Sequence, residues 1–155
     1  MNIKIKSKKG ANSMFKFQYK IKNILDDRRM MVEQLTKEDQ MRYITKMMLE
    51  LGMPVHLSGY HYLREAIRIS MEDMELVGSV TKLLYPEIAK VFHTESEKVE
   101  RAIRSVIEVG WERGNVDFYE MIFGYSRKHG NGRPTNSEFI VALADLARME
   151  FAPLL

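Results

Sequence analysis

Residues 87–104 read EIAKVFHTESEKVERAIR, and this stretch has the layout of a helix-turn-helix. A short first helix carries the small residue Ala89, which permits a close crossing, and a second helix enters with Val99 and Ile103 facing inward. A tight turn of this kind usually contains glycine. His93 stands there instead, and histidine is among the residues tolerated at positive φ. The stretch therefore predicts a pair of crossing helices.

The outer face of the second helix carries Glu100, Arg101 and Arg104, opposite the stripe that begins at Val99. Arginine binds guanine O6 and N7 bidentately, and glutamate accepts from cytosine N4, so these residue types suit base reading in the major groove. An ordinary helical pair with a solvated charged face accounts for the same spacing. The residues alone leave both interpretations open.

Apolar residues at intervals of three and four predict helices in the rest of the chain as well. We expect them over 41–51 with Thr36 as a possible N-cap, over about 60–70, over 76–92 with a new start at Pro86, over 96–113, over 116–123, and from a capping box at Thr135 and Glu138 onward. The fold class is therefore all-α, a compact bundle of about six helices with a methionine-rich core. Residues 1–35 are expected to form a basic N-terminal arm and linker helix, and residues 36–155 the helix-turn-helix domain.

Composition sets the broad class. The 155 residues allow one ordinary domain and a short appendage, and 45% hydrophobic with 29% charged residues is the usual balance of a soluble globular chain. No apolar run approaches the roughly 20 residues of a membrane span, so we expect a cytoplasmic protein without a membrane partner. The absence of cysteine excludes disulfides, thiolate metal sites and a cysteine nucleophile.

Charge is distributed unevenly along the chain. Residues 1–25 hold seven lysines and no acid, which gives this segment a charge of +7. Because the whole chain has a net charge of +3, the other 130 residues sum to −4. A DNA-binding surface on the main domain must therefore be a local patch. Within the arm, residues 15–22 (FKFQYKIK) alternate apolar and polar, mostly cationic, side chains, which predicts a strand. Such a strand can pair with a second copy, add to a partner's sheet, or remain a solvated basic arm.

Signals for an enzyme are weak. The four histidines, at positions 56, 61, 93 and 129, have no metal-ligand spacing, and the glycines near position 130 follow no strand that would make a phosphate-binding loop. We predict no catalytic residue, no metal site and no cofactor.

Six blocks of the sequence resemble, in order and in spacing, the DNA-binding effector domain of the sporulation master response regulator family. They cover about residues 42–150 and read LGMPVHLSGYHYLREAI (51–67), VTKLLYPEIAK (80–90), VERAIR (99–104), WERGN (111–115), FGY (123–125) and PTNSEFI (134–140). The resemblance implies a bundle of six helices that binds DNA elements similar to TGTCGAA as head-to-tail pairs and touches RNA polymerase sigma factor.

The resemblance also implies residue roles. Glu100, Arg101 and Arg104 would read bases, and contacts with the DNA backbone would come from Lys90, Ser96, Lys98, Arg127, Lys128 and Arg133. Family members carry a phosphorylatable receiver domain upstream, where this sequence has only the basic arm and one helix. We therefore expect a transcription regulator without a receiver, bacterial and bound to the nucleoid, and able to form a homodimer.

An interaction module is the alternative. It would keep the fold but pair with a full-length regulator or with sigma factor, without binding DNA. Glu95 and Glu97 favour it, because they place negative charge at the helix N-terminus that should meet phosphate.

Overall fold

The computed structural model describes residues 2–124 and 132–151, and in its first helix the side chains of residues 16, 18–20, 22–30 and 36 onward. These residues form α-helices and contain no strand, so the all-α fold class is confirmed. The helices are α1 (Asn2–Glu50), α2 (Ser58–Glu72), α3 (Tyr85–Val91), α4 (Ser96–Arg113), α5 (Val116–Phe123) and α6 (Asn136–Phe151). A 3₁₀ segment (Met74–Ser79) and a π-helical turn (Val80–Leu84) connect α2 to α3.

Local sequence signals account for several helix ends. Pro86 lies in the first turn of α3, which begins at Tyr85, one residue before the predicted new start. Asn115 caps α5 by accepting from the backbone N–H groups of Asp117 and Phe118, and Gly124 ends the helix at φ +69°. The capping box of α6 is confirmed, with Thr135 Oγ1 accepting from Glu138 N at 3.2 Å and Glu138 Oε2 from Thr135 N at 3.4 Å.

The N-terminal predictions were wrong in two respects. Residues 15–22 are helical, and Thr36 is not a cap, because α1 runs through both places. A lone strand leaves its backbone groups without a ladder partner, whereas a helix satisfies them internally. Residues 2–50 contain one glycine, no proline and many good helix formers such as lysine, glutamine, methionine and leucine, and this outweighs a short alternation.

The backbone divides into two compact units, Met1–Glu38 and Asp39–Leu155. The second unit contains the core, which draws on the end of α1 and on α2 to α6. The methionines at positions 47, 48, 53 and 71 are buried in it, whereas those at 30, 121 and 149 are exposed. Packing therefore explains only some of the methionines.

Helices α2 and α4 cross at a point where Gly59 faces the backbone of Ala102. A Cβ at position 59 would overlap the carbonyl oxygen of Ala102. Because backbones cannot move apart as easily as a flexible side chain can, this crossing requires glycine. It fixes the position of α4 against the core.

The turn between α3 and α4 is built on His93, the one non-glycine residue with positive φ, at +52°, in the described part of the chain. Thr94 N donates to Ala89 O at 2.9 Å, and Phe92 N donates to Ile88 O at 3.1 Å, which closes the end of α3. The expectation that histidine replaces glycine in a left-handed turn is confirmed.

Gly59→Ala tests the crossing of α2 and α4. We expect it to lower the free energy of unfolding by about 2 kcal/mol or more, as overpacking against an immobile backbone does. Gly78→Ala is the matched control, since nothing lies within 4 Å of a Cβ at position 78. Thermal unfolding followed by circular dichroism measures both variants, and equal melting temperatures would refute the close approach.

His93→Val tests the turn. A β-branched residue tolerates positive φ poorly, so we expect a loss of about 1–2 kcal/mol. His93→Gly and His93→Asn, which accept this conformation, should be at least as stable as the parent chain. Chemical denaturation of the three variants gives the comparison, and a valine variant as stable as the asparagine variant would contradict the left-handed turn.

Candidate nucleic-acid interface

The helix-turn-helix consists of α3, the turn at residues 92–95, and α4. Helix α4 is anchored by an inner stripe that includes Val99, Ile103, Val106 and Ile107, all fully buried. Ala89 of α3 is 7% exposed, as a small residue at a close helix contact should be. Burial of these apolar side chains holds α4 in one rotation about its axis. The rotation decides which polar side chains face outward.

The three predicted base-reading residues lie on the first half of α4. Arg101 is on the outermost face, where its Nε donates to Glu97 O at 3.4 Å. Glu100 and Arg104 lie on the flank that faces the start of α6, and they form an ion pair with each other one turn apart. Exposed fractions of 33% for the Glu100 side chain and 52% for Arg104 leave both reachable from solvent.

An asparagine that sequence reasoning did not single out joins three helices at this flank. Asn136 Nδ2, at the start of α6, donates to Glu100 O at 3.1 Å and to Tyr85 Oη at 3.0 Å. Burial raises the pKa of Tyr85 above its ordinary value, so its hydroxyl stays neutral at physiological pH. The amide thus ties α6 to α3 and to the backbone of α4.

An open groove of about 580 Å³ lies between the first half of α4 and the start of α6. Its lining includes Glu100, Arg104, Ser96 and Arg133 from the predicted site, together with Glu97. The other lining residues are Thr81, Tyr85, Pro134, Thr135, Asn136 and Ser137. The structure therefore brings four of the predicted residues together. Arg101, Lys90 and Lys98 lie outside the set that lines the groove.

The structure describes three of the basic residues that were predicted to contact the DNA backbone, and each of them lies next to a carboxylate. Lys90 Nζ lies 3.2 Å from Glu87 Oε1, and Lys98 Nζ lies 3.6 Å from Glu95 Oε2. Arg133 reaches across to α4, with its guanidinium 2.9 Å from Glu108 Oε1. Arg127 and Lys128 were also predicted as backbone contacts, and they lie outside the described residues. This surface is consequently a mixture of both charges.

The electrostatics of α4 at its N-terminus are also mixed. Glu95 occupies the N-cap position, but its side chain makes no capping hydrogen bond. Glu97 lies in the first turn, where the helix dipole favours a negative charge. The same position would repel a phosphate that approached the helix N-terminus. The geometry thus places Arg101 and Arg104 on the same half of α4 as the acidic residues Glu95 and Glu97.

No metal site was found among the residues that the structure describes, since no three His, Asp or Glu side chains there could hold an ion together. Nor does any described helix combine the length and hydropathy needed to cross a membrane. Sequence reasoning missed Asn136 and Tyr85. Their contact joins residues 51 positions apart, and no local pattern indicates it.

A comparison with protein-family models matches residues 44–146 to the family described as Sporulation initiation factor Spo0A C terminal. The matched residues take in α2 to α5, the helix-turn-helix among them, and most of α6. This agrees with the resemblance carried by the sequence blocks, and the family is one of DNA-binding regulatory domains rather than enzymes. The chain belongs to the family of C-terminal, DNA-binding effector domains of the sporulation initiation factor.

Proposed function

We propose that the chain is a sequence-specific DNA-binding transcription regulator that reads bases with Glu100, Arg101 and Arg104. The observation that carries the proposal is the exposed first half of α4, held by its buried stripe so that these three side chains face solvent or the groove. In helix-turn-helix proteins the N-terminal residues of the recognition helix contact base edges. Membership of the effector-domain family supports DNA binding by this domain.

The ion pair between Glu100 and Arg104 supports base reading. An arginine held by a neighbouring carboxylate loses less side-chain entropy when it binds guanine than a free arginine does. Glu100 keeps a carboxylate lone pair for a cytosine amino group, because a carboxylate accepts several hydrogen bonds. Arg101 is on the outermost face and is the first of the three to meet a base edge.

DNA-backbone contacts are proposed for Lys90, Ser96, Lys98 and Arg133, with Arg127 and Lys128 from the segment outside the described residues. The carboxylates beside Lys90 and Lys98 oppose these contacts only weakly, since exposed ion pairs are worth only about 0–1 kcal/mol. Binding to the DNA backbone releases counterions, so a phosphate can take the place of the carboxylate beside each lysine. We assign residues 36–155 to the effector domain and residues 1–35 to the basic arm and linker helix.

The proposed partner is double-stranded DNA with TGTCGAA-like elements, bound as tandem copies, and sigma factor is a proposed protein contact. Selection from a random duplex pool at about 150 mM salt, which suppresses non-specific binding, tests this directly. Enrichment of such an element, with spaced repeats, is the expected result. A folded protein that enriches no sequence would refute the proposal.

Arg101→Ala tests the base-reading role. We expect a loss of about 1–3 kcal/mol in binding to the selected element and a relaxed preference at one base pair. Arg148→Ala is the matched control, because Arg148 is an exposed arginine in the last turn of α6. Fluorescence anisotropy on the element and on its single-base variants measures both. Equal losses at every base pair would assign Arg101 to the DNA backbone instead.

The second candidate function is an interaction module that binds a regulator or sigma factor in place of DNA. The observation that favours it is the set of acids at the N-terminus of α4, Glu95 and Glu97, together with the carboxylates beside the cations. Acidic residues there weaken attraction for phosphate and suit a basic protein surface.

Glu97→Gln separates the two functions. If α4 meets DNA, removal of this charge should strengthen binding roughly two- to fivefold at low salt, as expected for a charge near a helix terminus. Glu112→Gln, at the other end of α4, provides the control. Titrations at two salt concentrations measure the effect. Unchanged DNA binding with weakened binding to sigma factor would favour the interaction module.

A further inference from the structure

The helical stretch 14–35 of α1 has a seven-residue repeat of apolar positions. Positions 14, 17, 21, 24, 31 and 35 hold Met, Phe, Ile, Ile, Met and Leu, and Arg28 occupies the remaining place in the series. The intervals alternate between three and four, and the backbone is helical throughout. On a helix this spacing puts the positions on one stripe, which is the seam of a two-stranded coiled coil.

The described side chains of this stretch are exposed. Every described side chain from Lys16 to Met30 is exposed, and Ile24, which lies in the seam, is 45% exposed. Residues 1–38 form a compact unit of their own. A helix in water gains most of its stability by packing an apolar face, so the seam calls for a covering surface.

The charges of the paired residues indicate how a second helix lies along the seam. Residues 14–22 hold three lysines and no acid, whereas residues 23–31 hold two acids and two arginines. A parallel pair of such helices would place the two lysine-rich ends side by side. An antiparallel pair instead sets each lysine-rich end beside the half of the other copy that holds the two acids and has no net charge, which avoids that repulsion.

We propose that residues 14–31 of α1 pair with the same segment of a second copy as an antiparallel coiled coil. Alignment of position 21 with position 24 of the second copy also aligns position 14 with 31 and position 17 with 28. In this register Lys20 flanks the seam opposite Asp27 of the second copy, and symmetry makes that contact twice. Arg28 is the single charged residue within the seam, and one polar seam residue is a common means of fixing register.

Sedimentation equilibrium of the full chain tests the pairing independently of DNA binding. We expect a dimer whose dissociation constant rises roughly tenfold or more in Ile24→Asp, because a carboxylate would enter an apolar seam. Tyr19→Asp is the matched control. It makes the same change at a position 64% exposed on the side of the helix away from the seam, and it should leave the dimer intact. A chain that stays monomeric would overturn the proposal and leave the basic segment as a nucleic-acid contact. Equal changes of the dissociation constant in Ile24→Asp and Tyr19→Asp would also overturn the proposal.

A charge exchange tests the orientation. Lys20→Glu and Asp27→Lys should each weaken the dimer severalfold, and the double variant should restore it, because the antiparallel register faces these two positions. In a parallel pair position 20 faces Leu25 and position 27 faces Val32, so the double variant would not recover. A double variant without recovery would overturn the antiparallel arrangement.

Discussion

The close approach of α2 and α4 at Gly59 is the constraint on which the effector domain depends. Because the backbone of Ala102 occupies the space where a Cβ would lie, the two helices meet at the distance that only glycine permits. This contact and the buried stripe of α4 fix the helix in position and in rotation. Recognition of bases needs such precision, since a hydrogen bond to a base edge tolerates little displacement.

A second set of contacts fixes the helices on either side of the groove between α4 and α6. Asn136 bonds to the backbone of α4 at Glu100 and to the hydroxyl of Tyr85, so α3, α4 and α6 meet at one amide. The carbonyl oxygen of Glu100 belongs to the same residue whose carboxylate holds Arg104. One fixed backbone position thereby supports both side chains that are proposed to read bases within the groove.

Much of this arrangement could be predicted from the sequence. The ends of α4 and α5 and the capping box of α6 depend on residues next to one another in the chain, and all were foreseen; the start of α3 was foreseen to within one residue. The left-handed turn at His93 was foreseen for the same reason. The tie at Asn136 was not, because it joins residues far apart in sequence that the packing of three helices brings together.

The N-terminal region shows how two periods compete in one stretch. Phe15 to Lys22 alternates with period two, but the longer series from Met14 to Leu35 follows intervals of three and four. A short window favours the strand, whereas a window of three turns favours the helix, and backbone hydrogen bonding decides in favour of the longer pattern. In the helix, the apolar residues at intervals of three and four lie on one stripe, whereas in a strand the alternating residues would lie on one face.

The charge balance gives that seam a functional meaning. Residues 26–155 carry a net −4, so a single effector domain has little bulk attraction for DNA. Two domains linked through paired α1 helices would bind two elements on one duplex with a high effective concentration at the second element, and so gain affinity without further phosphate contacts. Affinity would then depend less on salt than it does for a protein that relies on lysines alone. The acids around α4 would weaken the binding of each single domain, so that sites with two elements are the ones occupied.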